Sequence, residues 1–111
     1  MTTRLELWLY MGQRFSAMLL APLVIGHLIT MIYAIQGGLT AAEILGRTQG
    51  SVFWTVFYGL FVVAAAVHGA IGLRSIVREM TAWKGRSLNI AAVGFCLLVL
   101  VLGFRAVGAV T

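Results

Sequence analysis

Charge is scarce in this sequence, and acid scarcer still. Charged residues make up 10% of 111 positions, with three acidic side chains, all glutamate, against eight Lys and Arg. A soluble domain needs more polar surface than that, and the 61% of hydrophobic residues together with a mean hydropathy of +1.02 make lipid the solvent to reason with. The single cysteine, Cys96, excludes an intrachain disulfide or a thiolate metal cluster built from this chain alone, and inside its apolar block it reads as a packed side chain. Internal repeats and low-complexity tracts are missing. So is the alternating short-strand pattern of a membrane β-barrel.

What is present is a set of long apolar blocks. The fold expected is an all-α membrane protein with three transmembrane helices: residues 11–35, 51–73 and 87–108, each long enough for a hydrocarbon core of about 30 Å. Residues 1–10 (MTTRLELWLY) mix charge with Leu, Trp and Tyr and suit an interfacial segment, with Trp8 and Tyr10 as anchors. Gln36-Gly37-Gly38 closes the first span. Residues 39–50, carrying Glu43 and Arg47, read as a connection with room for one short surface helix. The first block is too long for a signal-peptide core and ends in no small-residue cleavage pattern, so it is expected to stay in the mature chain.

The net charge of +5 does not mark a nucleic-acid binder, because the basic residues form no stripe with interleaved aromatics. They cluster between the apolar blocks, as topology signals and head-group contacts do. Arg4, Arg14, Arg74, Arg78, Lys84 and Arg86 fall on one side, Arg47 and Arg105 on the other. That imbalance predicts a cytoplasmic N-terminus and an outer C-terminus in a bacterial or archaeal cytoplasmic membrane. Glycines at 59, 69, 72, 94 and 103 permit close helix contacts with partner chains, although glycine is also enriched in membrane helices generally.

An ionisable group inside a span is costly, so the two histidines carry the most information. His68 shares its helix face with Ala64, Ala65 and Gly72, a small-residue cleft of the kind a flat porphyrin needs beside its axial ligand. Arg74 lies toward the cytoplasmic edge, where a haem propionate would emerge. A topology-setting arginine accounts for it equally well. His27 stands on a bulkier face with Leu23, Val24, Thr30 and Met31, after Pro22, whose missing N–H weakens the helix locally. An interhelical hydrogen bond is the alternative for either imidazole. Counted from the cytoplasmic edge, His27 is roughly 24 Å deep and His68 roughly 10 Å, so the two are not expected to share one iron. At the cytoplasmic start of the first span, Tyr10, Gln13, Arg14 and Ser16 gather hydrogen-bonding groups at the edge of an apolar region, which suits a quinone head-group. Arg14 alone would also fit a snorkelling arginine.

Two motifs carry a resemblance. Gln13-Arg14-Phe15-Ser16-Ala17 is similar to the His-Arg-x-Ser-Gly that opens the first span of the cytochrome b membrane-anchor subunits of succinate dehydrogenase and fumarate reductase. His68-Gly69-Ala70-Ile71-Gly72-Leu73-Arg74 is similar to that family's His-x-x-x-Gly-[Ile/Leu]-Arg in the second span, and is the more specific of the two. The likeness runs from about Tyr10 through Glu79. It implies that His68 is an axial ligand to haem b and that Arg14 and Ser16 belong to the quinone site. It further implies a second membrane-anchor subunit, an iron–sulfur subunit and a flavoprotein subunit as partners. Gln13 replaces the usual His, Ala17 the usual Gly, and Tyr10 stands where some members have a quinone-binding Ser. His27 resembles the first-span histidine of two-haem members, which makes two haems the expectation, with His68 on the cytoplasmic side and His27 on the outer one. The alternatives are a single haem with a packing His27, a haem-free assembly subunit of another membrane complex, and a cytochrome b anchor for a different flavoenzyme.

Overall fold

The computed structural model describes residues 3–111. Four α-helices follow one another, α1 (Thr3–Gly37), α2 (Ala41–Thr48), α3 (Val52–Met80) and α4 (Arg86–Val110), and the described residues hold no strand. Helices α1, α3 and α4 are long and apolar enough to cross a membrane. They pack lengthwise into a body of 49 × 24 × 22 Å, with α3 in the middle and α1 and α4 on its flanks.

Sequence expectation separated an interfacial segment, residues 1–10, from the first span. Residues 1 and 2 lie outside the described residues, and from Thr3 onward the segment and the span are one continuous helix. The reason is long-range. Glu6, about two turns upstream of Gln13, is paired with Arg74 at 3.2 Å and Arg78 at 2.6 Å, so the start of α1 is held against the end of α3. Pro22 sits inside α1 without ending it.

Few side chains are fully enclosed. The buried apolar ones are Leu23 on α1, Ala64, Ala66 and Ala70 on α3, and Leu88 and Val107 on α4, while Phe15, Met18, Val52 and Met80 point outward. In lipid this carries no penalty, because association of helices rests on close packing rather than on removing apolar surface from water. Small residues set that approach: a Cβ added at Gly103 of α4 would lie 2.5 Å from Val62 of α3.

The turns are specified locally. Gly38 ends α1 at φ +118°, a region side chains avoid, and a Cβ there would collide with the Glu43 carboxylate. Helix α2 opens on a capping box, in which Glu43 N–H donates to Thr40 Oγ1 at 3.2 Å and Thr40 N–H donates to the Glu43 carboxylate at 3.3 Å. Hydrogen bonds from the Thr40 hydroxyl and N–H hold the Glu43 carboxyl below its ordinary pKa. At its far end α2 meets the close of α4: Thr48 Oγ1 donates to the Val110 carbonyl, and Gly50 N–H to that of Thr111 at 3.1 Å.

Candidate functional site

The α1 and α3 helices are antiparallel, and their register brings the two sequence motifs face to face. A Cβ on Gly12 would lie 3.3 Å from Ile71, and one on Gly72 would lie 3.3 Å from the Gln13 amide nitrogen. One turn further, Ser16 lies opposite His68, with Oγ 3.4 Å from Nδ1. The Gln13 and Ser16 side chains therefore face α3. Ser16 is 3% exposed.

Helical period turns the other half of the motif away. Tyr10 and Arg14, four residues apart, share an exposed face: Arg14 Nη1 donates to Tyr10 Oη at 3.2 Å and its guanidinium lies 5.9 Å from the ring centroid. Tyr10 is 59% exposed, and Arg14 is exposed as well. The four residues expected at a quinone head-group thus divide into an inward pair against His68 and an outward pair at the surface.

The surroundings of His68 differ from the open cleft its helix face suggests. Ala64 is buried and Gly72 is covered by the Gln13 amide, while Ala65 and the imidazole itself remain half-buried. The Gln13 Oε1 atom is buried without a hydrogen-bond partner among the described residues. Below this level Arg74, 6% exposed, is drawn inward, with Nε donating to Asn89 Oδ1 of α4 at 2.7 Å and Nη2 to Glu6 of α1 at 3.2 Å. Arg74 so ties all three long helices together. Neither Glu6 nor Asn89 stands in a motif that marks it in the sequence. The only signal was an acidic and an amide residue near the ends of apolar blocks, where a buried arginine would need them.

His27 occupies the other half of the same interface. Its ring packs edge-on against Phe61 and Tyr58 of α3, with centroids 5.2 and 6.1 Å away, and its Nδ1 is buried without a hydrogen-bond partner. An unsatisfied buried nitrogen costs about 1–3 kcal/mol. Seven to ten residues of α3 separate this level from His68, about 10–15 Å at 1.5 Å per residue. Two cavities adjoin His27. One of about 330 Å³ is lined by Thr48, Tyr58, Phe61, Gly103 and Val107. The other, of about 780 Å³, runs past Thr30, Tyr33, Trp54 and Tyr58 to Arg47, whose Nη2 donates to the Gly38 carbonyl at 2.6 Å and whose guanidinium stands over Tyr33.

Among the described residues no three His, Cys, Asp or Glu side chains come together as a group that could hold a metal ion. A family model described as succinate dehydrogenase/fumarate reductase transmembrane subunit matches residues 1–105. No curated protein and no solved structure matches the chain.

Proposed function

The chain belongs to the succinate dehydrogenase/fumarate reductase transmembrane subunit family, and from that membership we propose that it holds haem b on His68 and forms part of a membrane quinone site. In this role it anchors the flavoprotein and iron–sulfur subunits and lets electrons pass between them and quinone. The observation that carries the reading is His68. Its Nδ1 has a partner in Ser16, whereas its Nε2 takes no hydrogen bond among the described residues and is not a sealed, unpaired atom. A neutral imidazole in that arrangement is a ready axial ligand. Bound there, haem b supplies a one-electron carrier whose potential the protein tunes. His68 would hold the haem from this chain, and a second membrane-anchor subunit would complete the site.

His27 is the proposed ligand of a second, outer haem. Its support is the unsatisfied Nδ1, the cavity of about 780 Å³ beside it and its separation from His68 along α3. Tyr10 and Arg14, exposed and mutually bonded, are the reachable donors for a quinone carbonyl, and Gln13 lies behind them. A propionate reaching Arg74 would compete with Glu6 for the guanidinium. The charge imbalance supports a cytoplasmic position for the Glu6, Arg74 and Arg78 end, which in this reading is the end that meets the soluble subunits.

The test is a pyridine-haemochrome assay on the purified complex beside its flavin content, for wild type and His68→Ala. The reading expects b-type haem in the wild type and the loss of one haem per flavin in the variant. A haem-free wild-type complex, or full haem in the variant, would overturn it.

A further inference from the structure

Ser16 shares a motif with Arg14, yet the structure separates what the two can touch. With 3% of its surface exposed, Ser16 offers no hydroxyl to a quinone head-group arriving from lipid. Its two polar neighbours are inside the chain: the Gln13 carbonyl at 3.0 Å and His68 Nδ1 at 3.4 Å. A carbonyl oxygen only accepts, so the single hydroxyl proton goes to Gln13. What remains at Oγ is lone pairs, and His68 Nδ1 meets them as a donor.

We propose that Ser16 is a positioning residue for His68, accepting the Nδ1–H so that the imidazole is held in the tautomer whose Nε2 lone pair is free for a metal. The inference rests on the haem reading of His68. Ligating histidines work this way in general: the hydrogen bond made by the second nitrogen fixes ring orientation and tautomer and raises the basicity of the first. Here three atoms in line do so, a main-chain carbonyl, a hydroxyl and an imidazole, on two helices held in register by Gly12 and Gly72. A stronger imidazole donor stabilises the oxidised iron, so the arrangement holds the haem potential down.

The experiment uses the whole complex purified from membranes with Ser16→Ala, Ser16→Thr and Ser16→Cys. The readouts are haem-to-flavin ratio, haem midpoint potential, low-spin EPR g values and KM for a short-chain quinone. Ser16→Ala is expected to shift the potential of the His68 haem upward and to move its g values. Ser16→Thr, which keeps the accepting hydroxyl, restores both toward wild type, and Ser16→Cys, a weaker acceptor, gives an upward shift between the two. Should the alanine complex fail to assemble, the graded order of Thr, then Cys, decides the matter. Unchanged potential and g values across the series, or a change confined to quinone KM, would overturn the proposal and return Ser16 to the quinone site with the haem reading intact. A wild-type complex without b-type haem would overturn both.

Discussion

His68 and His27 share one interface between the same two antiparallel helices, and the protein treats their imidazoles in opposite ways. At the His68 level Nδ1 has a hydroxyl partner, and a cluster in which Glu6 pairs with Arg74 and Arg78 and Arg74 donates to Asn89 closes the end of the bundle about two to three turns away. At the His27 level the ring is wedged among aromatics, its Nδ1 is unsatisfied and cavities surround it. Both residues are ionisable groups in apolar spans, so membrane depth alone gives them the same weight. What distinguishes them is the surroundings of Nδ1. At the His68 level the imidazole Nδ1 is satisfied within this chain and the orphaned atom is the neighbouring Gln13 Oε1, whereas at the His27 level the orphan is the imidazole Nδ1 itself.

The widest break of that comparison comes from replacing the histidines themselves. His68→Ala is expected to remove one haem per flavin while the complex still assembles, and the haemochrome assay reads it directly. For His27→Ala the expected result is loss of a second haem. An unchanged haem-to-flavin ratio would make His27 a packing side chain and leave only one redox level in the chain.

Smaller changes sharpen the difference between the two ends. Arg14→Ala removes a charged donor from the outward pair beside the His68 level, which is worth about 1.5–3 kcal/mol when such a bond is lost. Quinone reduction should fall about 10-fold or more while succinate oxidation by an artificial acceptor holds, and equal loss of both would mark a folding defect. Glu6→Gln leaves Arg74 buried with less compensation. Since Glu6 is itself about a third exposed and screened, a loss of about 1–2 kcal/mol is expected, read as faster thermal inactivation of the complex. At the opposite end, Glu43 has a folded pKa below its ordinary value, so its contribution to the α2 cap is whole above the ordinary carboxylate range and fades as pH falls through the depressed one. A differential thermal melt of wild type and Glu43→Gln should therefore converge as the pH is lowered through and below the ordinary glutamate range, with the smallest effect of the five.

Much of this was legible because membrane spans declare themselves by length. Three helices of the required apolarity and a connecting segment with room for α2 follow from block lengths, and the Thr40-x-x-Glu43 capping box was there to be read as the start of α2. Helical period likewise pairs Tyr10 with Arg14 and Gln13 with Ser16, but it also sets Gln13 three residues from Tyr10, so it does not by itself divide the four. Period does not say which face meets another helix. That needed the register set by Gly12 against Ile71 and Gly72 against Gln13, a property of two helices together. The fusion of residues 3–10 with the first span was hidden for the same reason, because Glu6 gains its partners from positions 74 and 78, far along the chain. Arg74 was visible as a basic residue near a span edge, but its inward turn to Asn89 depends on a helix that begins twelve residues later.

The oxygen that orients the Ser16 hydroxyl belongs to the main chain of residue 13, not to its side chain. Every amino acid brings that oxygen, so position 13 can drift without touching the donor–acceptor order that ends at His68. The Gln that stands here in place of the family's usual His is then a change of lining over Gly72 rather than of wiring. Variation at this position leaves the acceptor for the Ser16 hydroxyl in place and alters only the side chain that covers Gly72.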